Sequence, residues 1–304
     1  MTRRNNDILW KVVLEEIFED LLTFLFPMAE EHFDLKKGFE FLDKELIALY
    51  PEPDKKAEVR FVDKLVKVTS SSGDEEWVLV HVEVQNQQDP TFPDRMFRYF
   101  THIFLHYDKP LTAIALFTGK KGPHLAPYYH YQFVGTSLIY QYNALYLSNY
   151  TDEELAESDN PFAVALRIAK QSLLEGKTSD EELLQFKLAL TASLFKKGFS
   201  RKKIKALLMF LHQYLHFDNS NQDLSFLKEI NHSIIKNNTT MNIDEVIEQL
   251  NLEKGKEVKE YQVIESLLHN TDFSTGRIAT LVDAPETLVL KIKARLVSES
   301  NTPS

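Results

Sequence analysis

Residues 76–85 read EWVLVHVEVQ, an apolar run that ends with a carboxylate and an amide two residues apart. Successive side chains of a strand point to opposite faces, so the run divides into two sets. One face carries Val78, Val80, Val82 and Val84, and the other carries Trp77, Leu79, His81, Glu83 and Gln85. A buried carboxylate is costly unless it is paired or bound to a cation. Two interpretations of Glu83 follow: the strand ends in solvent, or Glu83 belongs to a polar site.

A second strand-forming run, at about residues 57–69, precedes this one and contains Asp63. Residues 70–74, Ser-Ser-Ser-Gly-Asp, have the composition of a hairpin loop, so we expect the two strands to pair antiparallel. Pairing would bring Asp63 towards Glu83. A register slip of one residue would turn Asp63 to the opposite face, so the sequence leaves this proximity open.

Two carboxylates on neighbouring strands would suit a magnesium ion. Mg²⁺ takes oxygen ligands, keeps several waters and commonly shares a phosphate oxygen. A bound ion of this kind lowers the pKa of water and stabilises charge that builds on phosphorus. Asp63 and Glu83 are therefore candidate metal ligands.

The order of elements predicts an α/β or α+β fold with a central mixed sheet flanked by helices. Apolar residues at helical spacing predict a first helix over residues 7–26, closed by Pro27, and residues 39–49 are a candidate second helix. A helix over 92–107 follows the hairpin. A buried strand over 111–117 and one or two strands within 129–147 complete this half.

From Thr151 onward the pattern is helical, with a cap at Thr151 and Pro161 opening a helix. We therefore predict domains 1–150 and 151–304. Within 261–297, three short helices over 261–269, 274–282 and 286–297 are similar to a helix-turn-helix. Glu286 near the start of the third helix would face phosphates unfavourably, so helix packing without DNA contact stays an alternative.

Composition excludes several classes of protein. The 304 residues are 43% hydrophobic and 26% charged, as in a soluble globular protein, and they include no cysteine, which excludes disulfides and thiolate sites. No apolar run has the roughly 18 residues of a membrane helix, so we expect a cytoplasmic protein without membrane association. The net charge of −10 argues against coating of nucleic acid by bulk electrostatics.

One segment is basic despite that net charge. No acidic residue lies between Leu183 and Phe217, whereas five lysines and Arg201 cluster at 196–205. Lys202 and Lys203 are candidate phosphate contacts, and a solvated helix face is the alternative. Arg95 and Arg98, three residues apart, share a face of the helix at 92–107 and are candidate contacts to the DNA backbone, with ion pairs to the acidic first helix as the alternative.

Five segments in order resemble the recombination-promoting nuclease and transposase group of the PD-(D/E)XK nuclease superfamily. They are WKVVLEEIFEDLLTFLFP, GFEFLDKEL, VDKLVKV, HVEVQ and RMFRYFTHIFLHYDKPLTAIALFT. The resemblance covers about residues 7–150. It implies a restriction-endonuclease-like core that hydrolyses DNA phosphodiesters with Mg²⁺, or with Mn²⁺ as an alternative. Nucleases of this shape often act as dimers, so a homodimer is one expected assembly.

In that resemblance Asp63 and Glu83 match the metal-binding acids, and Gln85 matches a position usually held by lysine. Glutamine brings no charge, so Lys64 or Lys67 of the neighbouring strand is a candidate replacement, although Lys64 would face away from Asp63 in a regular strand. An acid of the first helix often assists, and Glu16 and Glu19 both fit. The missing lysine also allows an inactive nuclease fold that serves as a nucleic-acid-binding or protein-interaction module.

Overall fold

The computed structural model shows a mixed α/β chain. It describes residues 3–42, 62–83, 90–119, 127–174, 176–219, 221–236, 263–268 and 270–282, and also 284, 286, 289, 290, 292 and 293. The helices are α1 (Arg3–Glu16), α2 (Phe18–Leu25), α3 (Ala29–His32), α4 (Phe92–Tyr107), α5 (Asp152–Glu157), α6 (Pro161–Ser172), α7 (Asp180–Lys196), α8 (Arg201–Tyr214), α9 (Asn221–Lys236) and α10 (Thr275–Leu281). Short 3₁₀ turns cover Leu35–Lys37 and Leu147–Asn149.

Within the described residues, seven strands form two sheets. They are β1 (Glu40–Phe41), β2 (Val62–Thr69), β3 (Glu75–Glu83), β4 (Leu111–Phe117), β5 (Tyr128–Phe133), β6 (Thr136–Gln141) and β7 (Asn143–Tyr146). The main sheet has the order β1-β2-β3-β4-β7, and β5 and β6 form a separate hairpin. β2 is antiparallel to β1 and β3, whereas β3, β4 and β7 are parallel. The predicted mixed sheet is confirmed.

Several predicted elements agree with the structure. The helix at 92–107, the strand at 111–117 and the antiparallel hairpin around residues 70–74 are present. Thr151 forms a capping box with Glu154, and Pro161 begins α6. The first helix is divided at Ile17, whose ψ of 25° leaves the helical region. The helix predicted at 39–49 is wrong at its start, where β1 pairs with β2, and its remainder from residue 43 lies outside the described residues.

Helices cover both faces of the main sheet. On one face, Leu65 packs with Tyr99 and Ile103 of α4. The same face carries Ala113 and Ala115 of β4, which pack against Phe92 and Met96. On the opposite face, the Lys64 ammonium reaches Glu15 of α1 at 2.6 Å. The sheet is therefore the middle layer of a helix–sheet–helix arrangement, and alternate residues of β2 serve opposite layers.

Helices α6 and α8 pack directly on α1 and α2. The Trp10 ring lies 5.0 Å from Phe210 of α8 and 6.2 Å from Phe162 of α6, and its Nε1 donates to the Tyr214 hydroxyl at 3.3 Å. The Asn160 amide donates to the Asp20 carbonyl at 3.0 Å. Trp10 is fully buried, so the side of α1 that carries Trp10 lies beneath another layer of helix.

The chain forms two compact units, with a division between Asp223 and Leu224. One unit contains residues 6–223, and the other contains 1–5 and 224–304. The boundary predicted near residue 150 lies inside the larger unit, and the division into domains 1–150 and 151–304 stays a prediction. Packing of α6 and α8 on α1 buries apolar side chains from before and after residue 150 together.

The predicted helix-turn-helix lies in the smaller unit. Residues 263–268 are helical, Ser274 caps α10, and Ile264, Ile278, Val289 and Ile292 form one buried cluster. The Thr275 hydroxyl donates to Glu286 at 2.7 Å, and Glu286 also lies against Gly276. Glu286 thus accepts a hydrogen bond at the start of α10, while contact of this segment with DNA stays a prediction.

The helical layer contains a buried lysine. Lys187 of α7 is fully buried, and its Nζ lies 4.4 Å from the centre of the Phe217 ring. Burial lowers the pKa of Lys187 to about 8, an effect that Asp223 and Asp180 partly oppose. An apolar setting disfavours the ammonium form, which explains the direction of the change.

Among the described residues, no helix has both the length and the apolar character needed to cross a membrane.

The division at Asp223 predicts how fragments fold. A fragment of residues 6–223 should melt in a single cooperative transition, because it keeps α6 and α8 on α1. A fragment of residues 1–150 should not, because it exposes Trp10 and Phe24. Circular dichroism during heating measures both. A cooperative transition of the 1–150 fragment at the same temperature as the longer one would contradict the observed packing.

The lowered pKa of Lys187 predicts that the stability of the fold depends on pH. The unfolded lysine keeps its proton to about pH 10, whereas the folded one loses it near pH 8, so between these values the unfolded chain binds more protons. The contribution of Lys187 to folding therefore becomes more favourable as pH rises, by up to about 1.4 kcal/mol per pH unit. Urea unfolding of wild type and Lys187→Met should show the advantage of the variant shrinking from pH 8 to pH 10.

The matched control is Lys196→Met, since Lys196 of the same helix is exposed. Its stability difference from wild type should stay constant over this pH range. A constant difference for Lys187→Met as well would show that the buried lysine keeps its ordinary pKa.

Candidate functional site

Three parallel strands end together on one side of the main sheet. Glu83 of β3 pairs with Phe117 of β4, and Phe117 pairs with Tyr146 of β7. β2 runs antiparallel, so its first residues reach the same side. We call this side the carboxyl edge. In open α/β sheets, ligands bind outside the carboxyl ends of parallel strands, which makes this edge the candidate site.

The hairpin register decides which residues share a face at this edge. Asp63 pairs with His81, and paired residues of adjacent strands lie on the same face. Glu83 is two residues beyond His81, so it occupies that face too. Asp63 and Glu83 are thus diagonal neighbours, with a typical separation of about 7 to 8 Å between backbone positions. The register that the sequence left open places both acids together.

The structure describes the backbone of Asp63, His81 and Glu83 but not their side chains, and Gln85 lies outside the described residues. Among the side chains that are described, no group of three or more His, Asp or Glu residues has the arrangement of a metal site. The backbone register brings two acidic residues, Asp63 and Glu83, to one face at the carboxyl edge. Hard oxygen donors of this kind fit Mg²⁺ or Mn²⁺.

Aromatic side chains line this face at the carboxyl edge. Phe92, on the first turn of α4, lies 5.0 Å from Phe117 and 6.0 Å from Tyr142. Phe117 and Tyr146 stack at 4.8 Å between ring centres. Because Phe117 is the strand partner of Glu83, these rings form an apolar wall beside the Glu83 position. Helix α4 begins at the same place.

Burial raises the pKa of Tyr142, with Tyr146 adding to this effect and Arg95 opposing it. Burial also raises the pKa of Tyr146. Both phenols therefore keep their protons at neutral pH. They can donate hydrogen bonds, but they do not act as bases there.

The two arginines of α4 have different surroundings. The guanidinium carbon of Arg95 lies 5.2 Å from the centre of the Phe92 ring, so Arg95 is half-buried against the aromatic wall. Arg98 is exposed, and its Nε donates to Asp94 of the same helix at 2.6 Å. Arg95 belongs to the carboxyl edge, whereas Arg98 lies farther along α4 and is engaged with its own helix.

Neither lysine of β2 lies beside Asp63. Lys64 is fully buried on the opposite face of the sheet, where its Nζ contacts Glu15 and lies 4.7 Å from the Phe41 ring centre. Its orientation away from Asp63 is confirmed. Lys67 shares the face of Asp63, but it is four residues along the strand, about 13 Å away, and contacts Glu40 at 3.6 Å.

Glu16 and Glu19, the two candidate acids of the first helices, have different surroundings. Glu16 is exposed, and Glu19 lies 3.6 Å from Lys203. The acid that reaches the sheet is Glu15, through Lys64, on the face opposite Asp63. The sequence carried no signal for Glu15, because helical spacing does not identify which of several acids meets a buried lysine.

The two basic candidates of α8 also differ. Lys203 lies 2.8 Å from Asp20 of α2 and is only partly exposed, so it links the two helices. Burial raises the pKa of Asp20, and the hydrogen bond from Lys203 acts against this. Lys202 is exposed on the outer side of α8. Contact of either lysine with nucleic acid stays a prediction.

The site thus combines two acids placed by strand register, an aromatic wall and one half-buried arginine at the start of α4. The aromatic wall was not anticipated from sequence, because Phe117, Tyr142 and Tyr146 come from elements whose pairing the sequence does not specify. Comparison of the chain with models of protein families, with curated proteins and with solved structures gives no match in any of the three.

Proposed function

We propose that this chain is a Mg²⁺-dependent endodeoxyribonuclease that hydrolyses phosphodiester bonds in the cytoplasm. The observation that carries the proposal is the register of β2 and β3, which puts Asp63 and Glu83 on one face at the carboxyl edge. The resemblance of residues 7–150 to PD-(D/E)XK nucleases, of the recombination-promoting nuclease and transposase group, supports the same function.

The architecture supports a restriction-endonuclease-like core. Such a core needs a mixed sheet with helices on both faces and acids on two adjacent strands. Here β2 and β3 carry Asp63 and Glu83, and α4 packs on the face that both positions share. Helix α4 thereby lines the carboxyl edge on one face of the sheet.

The residues divide the chemistry between them. Asp63 and Glu83 would hold Mg²⁺ or Mn²⁺ as oxygen ligands. When bound, the ion supplies charge stabilisation for the phosphate under attack. Gln85 would orient the attacking water or a phosphate oxygen by hydrogen bonding. Arg95, Arg98, Lys202 and Lys203 are the proposed contacts to DNA, and a homodimer is the proposed assembly for cutting both strands.

The second proposed function is binding without catalysis. In this case the chain keeps a nuclease fold, does not cleave DNA, and binds nucleic acid or another protein. The observation that favours it is the placement of the β2 lysines. Lys64 lies on the wrong face, and Lys67 is held at a distance by Glu40, so neither replaces the charge that Gln85 lacks. Under this alternative, the chain would bind DNA without metal-dependent cleavage.

Asp63→Asn and Glu83→Gln should each abolish cleavage of supercoiled plasmid by the purified chain in Mg²⁺ or Mn²⁺. Each substitution removes one anionic ligand while keeping nearly the same side-chain shape, so the expected loss is at least about 100-fold. Agarose gels report nicked and linear products. Linear product in the first turnover would indicate that two copies act together.

Asp74→Asn is the matched control, because Asp74 is an exposed acid in the loop at the far end of the same hairpin. This variant should cleave at the wild-type rate, and EDTA should stop it. If wild-type chain binds DNA yet never cleaves it in either metal, the inactive module becomes the better account. Equal cleavage by all three variants would show that neither Asp63 nor Glu83 is needed for cleavage.

A further inference from the structure

We propose that Arg95 contacts the scissile phosphate and supplies the positive charge that Gln85 does not bring. This inference rests on the proposed nuclease function and assigns one residue within it. It separates Arg95 from Arg98, which the spacing in the sequence treats as equivalent.

The first argument is position. Arg95 lies on the first turn of α4, and the neighbouring Phe92 packs on Phe117 at 5.0 Å. Phe117 is the strand partner of Glu83, on the same face of the sheet. A continuous series of contacts therefore connects the Arg95 helical turn with the backbone position of Glu83. Asp63 occupies that face as well.

The second argument is the orientation of the guanidinium. Its carbon lies 5.2 Å from the Phe92 ring centre, and Phe92 lies 6.0 Å from Tyr142. The positive charge is near enough to act on the Tyr142 phenol, whose pKa it lowers against the larger effect of burial. The Arg95 side chain is thus directed along the aromatic wall of the carboxyl edge.

The third argument compares Arg95 with four other cations. Lys64 lies on the opposite face of the sheet, and Lys67 lies about 13 Å along the strand. Arg98 is exposed and held by Asp94, while Lys203 is held by Asp20. Of these side chains, Arg95 alone combines the face of Asp63 and Glu83 with the carboxyl edge.

Arginine suits this role chemically. Its guanidinium stays protonated at every relevant pH and presents paired N–H donors that match two phosphate oxygens. Hydrolysis forms a bond from water oxygen to phosphorus and breaks the bond to the leaving sugar oxygen, which takes up a proton. The charge of Arg95 offsets the negative charge that grows on the phosphate oxygens.

The test compares Arg95→Gln with Arg95→Lys and with Lys109→Gln. Lys109 is exposed beyond the other end of α4, so its substitution removes the same charge about 20 Å away. Single-turnover cleavage of a duplex is measured at saturating protein over a range of Mg²⁺ concentrations. Duplex affinity is measured separately in EDTA by fluorescence anisotropy, and the melting temperature of each variant is recorded.

Arg95→Gln should cleave about 100-fold more slowly, with the half-saturating Mg²⁺ concentration unchanged, and should bind duplex more weakly in EDTA. Arg95→Lys should recover part of the rate because it restores the charge. Lys109→Gln should match wild type. A purely structural role would instead lower the melting temperature of Arg95→Gln and Arg95→Lys alike without changing the rate of the folded fraction.

Failure of the Arg95 assignment and failure of the proposed nuclease function give different results. Metal-dependent cleavage by wild type that Arg95→Gln retains in full would overturn the assignment of Arg95 and leave the nuclease intact. Absence of cleavage by wild type, with equal duplex affinity for wild type and Arg95→Gln, would overturn both the nuclease and the assignment.

Discussion

The pairing of Asp63 with His81 is the constraint on which the candidate site depends. Side chains alternate strictly along a strand, so this one register places Asp63 beside Glu83 and sends Lys64 through to the other face. A shift by one residue would bury Asp63 against α1 and bring Lys64 to the α4 side. The contact of Lys64 with Glu15 opposes that shift, because it fixes a charged side chain in the opposite layer.

Helices that follow residue 150 cover the first helices and so belong to the same folded unit as the sheet. Trp10, Leu14 and Ile17 of the first helices are fully buried, which requires cover on the side away from the sheet. Helices α6 and α8 supply that cover, with Phe162 and Phe210 against Trp10. Residues 6–223 therefore form one unit in which the sheet, its helices and a further helical layer share buried surfaces.

Local signals in the sequence predicted local structure well. Alternation located β3, a cap and a proline located α5 and α6, and the spacing of apolar residues located α4. Long-range choices were not predictable: the domain boundary depends on which helix covers Trp10. The candidate site was predictable in part. Asp63 and Glu83 were visible as acids in strands, but the difference between Arg95 and Arg98 depends on the packing of Phe92 against Phe117.

Binding of Mn²⁺ measured by isothermal titration calorimetry tests the central claim most directly, because it asks whether the two acids form one site before any substrate is involved. The account predicts that wild-type chain binds Mn²⁺ and that both Asp63→Asn and Glu83→Gln remove this binding, whereas Asp74→Asn leaves it unchanged. Binding that survives in both of the first two variants, or no binding by wild type, would contradict a metal site shared by Asp63 and Glu83.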